Sequence, residues 1–444
     1  IFWNFYEFGN HLGVHFSPGL FLLLPFYAML QNSLTLLFLQ SASMAASLVI
    51  LYYLCVRKLK DEISALLVVI ALCLSPVFIG TAFSGFHAVV FAVPFLFLLF
   101  LSHEKGNNKM FAFSVVMCLI WRETIVFPLL LWAVMLWIKK ETRERGKILF
   151  LISFMWGVWA LFIAMPLIRG TTISEGLLQY RFPEEIGHSP IEIILNFFRR
   201  PGYFLSYAFQ YDKIIYLIFI FGTFLFLPLY SPFLIIPILP LIFQNLLSKY
   251  GLGVDFLKHY SAAIMPFMAY SAMISVDNIA LKLSKNNPLK FLMIKRGICA
   301  ALIIASLSMF LTSDVFHVVI LGKTPEQDKI HHLSSRELAA AKEMGNLVPE
   351  SASFAVAGHL AKYFARRRVI CFVNKGFLKI FPFDYLLYYS PGPEHNLFHN
   401  NPALNKMLEQ KYSLIQKRGN LHLYKRLPIT YTEEEIDILK MTPE

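Results

Sequence analysis

Glu7, His11, His15, His87, Arg122, Glu123, His259 and Tyr260 lie in polar-aromatic turns between long apolar stretches. A guanidinium, carboxylates and imidazoles together offer cation, base and hydrogen-bond donor functions. Ionisable side chains near a bilayer are costly, so a set gathered at one face marks a functional site by default. His11 and His15, four apart, would suit two metal ligands on one helix face, but Gly13 between them and Pro18 beyond weaken that helix. A local cap or loop anchor fits them better. Arg122 and Glu123 are adjacent; the plain alternative to a site is an ion pair closing a short helical hairpin.

The elements that must position these residues are membrane helices. Hydrophobic residues make up 57% of the chain, with 43 Phe and 15% charged residues, outside the range of soluble domains. Windows such as Leu34–Val56, Ile148–Ile168 and Ala262–Leu281 are apolar over about the 20 residues that span a bilayer core. The fold class is an all-α polytopic membrane protein with a small C-terminal α/β soluble domain. Composition divides the chain at Ser313: residues 1–313 form the membrane domain, and 314–444, richer in Lys, Arg, Glu, Asn and Pro, a domain with its own core. The chain starts Ile-Phe-Trp-Asn, without Met or a basic leader, which reads as a fragment lacking its N-terminal span.

The net charge of +12 does not imply a nucleic-acid partner. Fifteen Lys and Arg sit in the membrane turns of one side, and seventeen are spread over the C-terminal domain. Topology and anionic lipid headgroups account for the first group. The basic turns Arg57–Lys60, Lys105–Lys109, Lys139–Lys147 and Lys282–Arg296 mark the cytoplasmic side. Ten spans satisfy them: 33–57, 62–79, 88–102, 110–121, 124–138, 148–168, 214–228, 233–247, 261–281 and 297–313. Residues 17–31 read as a helix lying in the outer surface. The protein is then a multi-pass plasma-membrane protein with its C-terminal domain outside the cytoplasm. The segment Arg169–Lys213 reads as a long outer loop.

Met110–Ile138 decides most. One helix of that length would run about 43 Å, longer than the hydrocarbon core. It would also carry Arg122-Glu123 at its centre and put Lys109 and Lys139 on opposite sides. Two short spans meeting at Trp121–Thr124 remove both objections and sink the pair into an outward-facing depression.

In the C-terminal domain, a helix is expected at Ser335–Leu347 and another at Pro402–Lys411. Strands are expected at Phe354–Ala357, Val369–Val373, Tyr385–Tyr389, Tyr412–Gln416 and Leu421–Tyr424. The Arg366-Arg367-Arg368 run reads as a solvated or headgroup-facing patch. The five cysteines show no metal-like pairing, so no metal site is expected from them.

Several segments resemble the prokaryotic membrane-protein family known as domain of unknown function 2079. They are Trp3-Asn4, His15-Phe16-Ser17-Pro18, Phe86-His87 after the Ser75-Pro76 span end, Arg122-Glu123 where the family pattern is similar to Lys-Glu-Asp, and His259-Tyr260 followed by Pro266-Phe267. The layout in turn resembles GT-C glycosyltransferases, so the resemblance implies a GT-C-like helical bundle. It also implies transfer of a sugar from a polyprenyl-phosphate donor to an acceptor at the outer face. The family's acidic residue in the first outer loop would fall before Ile1, leaving Glu7 in its place. Thr124 stands where an acid is more common, which makes a two-carboxylate metal site less fitting.

Such a transfer needs a base, cations for the phosphate leaving group and an apolar groove for the lipid tail. Glu7 and Glu123 are the catalytic candidates; Glu123 could instead orient the acceptor, hold a divalent cation or simply neutralise Arg122. Arg122 suits the phosphate through its planar fork of donors. His15, His87, His259 and Tyr260 complete the substrate-binding set, although Tyr is also common at interfaces for packing reasons. The partners implied are a polyprenyl-phosphate-linked sugar and membrane lipid. Two other classes fit the composition: a transporter or flippase for a lipid or polar solute, and a scaffold or sensor whose outer domain binds a partner. No repeat between the two halves supports the transporter.

Overall fold

The computed structural model describes residues 3–4, 9–169, 182–187, 189–249, 252–322, 334–356, 360, 363–364, 370–372, 383–389 and 410–428. The chain divides into two compact units, one formed by Asn10–Lys323 and the other including the described residues beyond Thr324.

The first unit is helical. Among the described residues, Leu34–Leu59, Ala88–Lys105, Lys140–Arg169 and Pro288–Leu311 are each long and apolar enough to cross a membrane. Two bent pairs add to them: Glu62–Cys73 with Pro76–Phe83 at 54°, and Pro201–Ala208 with Tyr211–Gly222 at 66°. Asn108–Leu119, Glu123–Ile138 and Pro232–Leu246 are shorter apolar helices. Ala88–Lys105 runs through the middle, with 72% of its apolar window buried, against 22% for Leu34–Leu59 and Pro288–Leu311. The outer helices turn Leu34, Phe38, Val49, Met293 and Ile304 outward. Helices apolar all round, with such residues exposed, belong in a bilayer.

The caps follow the residues. Asn32, Asp61, Ser75, Asn107 and Asn287 each accept a backbone N–H from the turn that they open. Gly106 (φ 72°) ends Ala92–Lys105 in the left-handed region.

Several boundaries differ from expectation. Arg169–Lys213 is not a plain loop, since its described part holds helices Pro190–Arg199 and Pro201–Ala208. The last long helix begins at Pro288, capped by Asn287, so Lys290, Lys295 and Arg296 lie on its first turns rather than in a connecting turn. The helix expected to reach 228 stops at Gly222, because Leu225 and Phe226 take positive φ. The prolines of the next segment then break it into short 3-10 turns. The helix Asp314–Val319 lies within the first unit, with Val315 buried and Phe316 edge-on to Phe310.

The second unit is a small α/β domain. Among the described residues its strands lie in the order Ile370–Phe372, Phe354–Val356, Tyr385–Tyr389, Leu421–Arg426, Tyr412–Arg418; the first three are parallel, and Leu421–Arg426 runs antiparallel to both of its neighbours. Helix Ser335–Asn346 opens with a Ser334/Glu337 capping box and buries Ala341 and Met344. Arg366–Arg368 and all but the end of the helix expected at Pro402–Lys411 lie outside the described residues.

Candidate functional site

The helix expected to break around Trp121 does so. Asn108–Leu119 ends, and a 3-10 turn, Glu123–Ile125, leads into Val126–Ile138. A break inside an apolar bundle frees backbone carbonyls that need donors. The segment His15–Gly19 supplies them: Gly19 N–H donates to the Ile120 carbonyl at 2.8 Å, and Ser17 Oγ to that of Trp121 at 2.9 Å. Gly19 is required there, because a Cβ would lie 2.6 Å from the Trp121 indole. Phe16, packed against Trp156 and Trp159, fixes the segment from its other side.

This apposition joins His15 to Glu123 across 108 positions. His15 Nδ1 lies 3.2 Å from Glu123 Oε1, and Phe16 N–H donates to Oε2 at 3.0 Å. Arg122 Nη2 lies 3.2 Å from His15 Nε2, and its Nε 3.6 Å from Glu123 Oε1. A guanidinium only donates, so Nε2 is the acceptor and Nδ1 carries the proton toward Glu123. Arg122 and Glu123 are 8% and 4% exposed, so this unit is set inside the protein rather than on its surface. Both carboxylate oxygens are engaged, and a cation on Glu123 would have to displace a donor. Among the described residues, no group of three or more His, Cys, Asp and Glu is arranged to hold a metal ion.

A second pair forms from the turns that follow Pro76–Phe83 and precede Met265–Ser284. The His87 and His259 rings overlap with centroids 3.6 Å apart, and Tyr260 lies 4.4 Å from His259. Gly80 lets these turns meet, since a Cβ there would lie 1.8 Å from the Phe256 carbonyl oxygen. Burial first, and then the nearby positive charges of Arg122 and Lys258, push His87 down to about 4. Arg122 is near enough to His87 to disfavour its protonation, which sets the two pairs in one neighbourhood.

The structure thus brings His11, His15, His87, Arg122, Glu123, His259 and Tyr260 together. His11 packs edge-on against His15 at 5.8 Å. Glu7 lies outside the described residues.

Three side chains that sequence reading overlooked hold the turns in place. Gln40, 1% exposed within an apolar helix, donates through Nε2 to the Ser84 and Gly85 carbonyls, both at 3.3 Å. Its Oε1 accepts the His87 N–H at 2.8 Å. On the other side, Asn245 Nδ2 donates to the Tyr216 hydroxyl at 3.1 Å and to the Tyr260 carbonyl at 3.4 Å, while Tyr216 pairs with Ser261. The signal was present: Gln40 and the Gln244-Asn245 pair are amides in apolar runs, and buried amides need partners.

Fold and composition define a multi-pass helical membrane protein with a small α/β domain. Residues 3–423 match the model of a family of predicted membrane proteins, domain of unknown function 2079, and the chain belongs to that family. No curated protein matches it.

Proposed function

We propose that the buried cluster binds the phosphate of a polyprenyl-phosphate-linked sugar, and that the protein transfers the sugar to an acceptor at the outer face. In this reading the ten apolar stretches cross the plasma membrane, with the basic turns in the cytoplasm and the α/β domain outside. The carrying observation is the hydrogen-bonded unit of Arg122, His15 and Glu123 beside the His87–His259 pair. Glu123 orients His15 and Arg122, and the guanidinium offers its remaining donors to a phosphate. The layout also resembles that of GT-C enzymes, which carry out this reaction class.

The step balances without a further reactant. The acceptor oxygen bonds to the anomeric carbon, and the bond from that carbon to the phosphate oxygen breaks. Its electron pair leaves with polyprenyl phosphate, and the acceptor proton passes to a carboxylate, for which Glu7 and Glu123 are the candidates. Glu123, with both oxygens already engaged, suits the orienting role better, which favours Glu7 as the base. His87, held neutral, can donate to the leaving phosphate only from a ring N–H; a bound phosphate would favour its protonation.

Consumption of a lipid-linked sugar by the purified protein tests the proposal, with Arg122→Ala beside it. The expected result is turnover that Arg122→Ala reduces strongly. Equal turnover would make Arg122 structural. No turnover with a broad donor panel would bring forward the transporter or the scaffold.

A further inference from the structure

Away from the histidine cluster, at the end of the bundle with the basic turns, lies a groove of about 450 Å³ lined by Val134, Trp137, Ile138, Arg143 and Lys147. Val134, Trp137 and Ile138 stand at i, i+3 and i+4 on the last turns of helix Val126–Ile138. Arg143 and Lys147 stand at i and i+4 on the first turns of helix Arg143–Val158. The spacing puts each set on one helix face, so an apolar strip faces a pair of cations.

The groove is preformed. Thr142 Oγ1 donates to the Leu136 carbonyl at 2.7 Å, and a Cβ on Gly146 would lie 2.4 Å from the Trp137 backbone nitrogen, so the two helices close tightly below the turn. Phe150 packs edge-on against Trp137. All three apolar residues are well exposed, Ile138 to 74%.

The charge is incompletely met. Among the described residues no carboxylate lies within ion-pair distance of Arg143, whose recorded contact is a long 3.4 Å bond from Nε to the Trp137 carbonyl. Lys147 pairs with Glu144 at 2.9 Å, but Glu144 is 74% exposed, and such a pair is weak. Lys139, Lys140 and Arg145 on the same connection add positive charge.

We infer that this groove is a binding site for one anionic glycerophospholipid, its phosphate held between Arg143 and Lys147 and an acyl chain laid along Val134, Trp137 and Ile138. Headgroup and chain meet the two chemistries in the order that an interfacial lipid presents them. A helix N-terminus beneath the phosphate adds a favourable dipole. A free anion would leave the apolar strip unused, and a neutral lipid would leave the cations unmet.

Native mass spectrometry of the purified protein, released from nanodiscs of phosphatidylcholine doped with phosphatidylglycerol, counts the lipid that stays bound. Retention of one phosphatidylglycerol is expected. Arg143→Gln with Lys147→Gln should weaken it about 10-fold or more, as loss of charge-assisted bonds implies. Trp137→Ala should weaken it while both charges remain. Lys140→Gln removes a nearby charge that does not line the groove and should have little effect. Retention of phosphatidylcholine in equal amount would overturn the inference, as would an equal loss in Lys140→Gln, which would mean diffuse attraction only. Matched thermal melts of the variants separate loss of lipid from loss of fold.

Discussion

The two ends of the helical bundle treat charge in opposite ways. Helix Ala88–Lys105 connects them: His87 precedes its first residue and Glu104 lies near its last, about 25 Å away at 1.5 Å per residue. At the basic end, the charges that join one helix to another are matched, while the cations of the Arg143 turn stay open. Arg296 forms a two-pronged bridge to Asp61, at 2.7 and 3.1 Å, and holds that carboxyl well below the usual range. Lys295 meets Asp277 at 2.8 Å and the Leu59 carbonyl, and Glu104 is shared by Lys58 and Tyr270. At the other end, Glu123 is met by His15 and Arg122, and the His87–His259 pair, with His87 held neutral, completes the cluster. Matched pairs hold helices together. In the proposed reading, the cluster at the other end serves a phosphate that the chain does not itself carry.

The largest expected effect separates the ends by function. Arg122→Ala should weaken polyprenyl-phosphate binding by ~100-fold, since a phosphate loses a bidentate charged partner in a desolvated site. Arg122→Lys should recover only part, because a point charge replaces the fork. Arg296→Ala at the opposite end should leave binding intact. If both substitutions weakened binding equally, the ends would not differ as argued.

Stability should sharpen the contrast. Glu123→Gln leaves a buried guanidinium without its carboxylate, which typically costs about 3–5 kcal/mol. Asp61→Asn should cost about 1 kcal/mol, because Arg296 is 38% exposed and solvent screens the pair. Thermal melts in detergent check both; equal losses would contradict the difference in burial. Gln40→Leu strands the His87 N–H and two carbonyls, at about 1–3 kcal/mol for an unsatisfied buried group. It should lower binding as well as Tm, whereas Asp61→Asn should lower Tm alone.

Acid gives the smallest effect. His87 is pushed down to about 4, so the unfolded chain takes up a proton near pH 6.5 that the folded one refuses. Stability from this group is therefore full above pH 6.5 and falls as the pH drops toward 4. The Asp61 contribution survives across that window and is lost only in stronger acid, as its own depressed carboxyl is protonated. NMR of ring-labelled histidine should show His87 neutral at pH 6, and bound phosphate should raise its titration point. A His87 signal already protonated at pH 6 in the free protein would contradict the burial argument.

Much of this contrast was legible before folding, for physical reasons. An apolar window has one stable setting, and Arg122-Glu123 could not remain at the centre of a long span, so the break near Trp121 followed. The basic turns drew attention to one side. What stayed hidden was pairing across distance: nothing local says that His15 meets Glu123, or that the His87 ring lies against that of His259. Gln40 and Asn245 sit in apolar helices far in sequence from the turns that they hold, although each had to find partners. At the other end, Lys282–Arg296 reads as a basic turn from its charges, whereas Asn287 caps a helix that starts at Pro288. There the ion pairs with Asp61 and Asp277 allow charged residues inside a helix.

The most direct test is the binding of polyprenyl phosphate to the purified protein, compared between wild type, Arg122→Ala and Arg296→Ala in the same detergent. The account predicts saturable binding that Arg122→Ala nearly removes and Arg296→Ala leaves unchanged. Equal affinity in all three, or no saturable binding in the wild type, would contradict a phosphate site at the histidine-rich end.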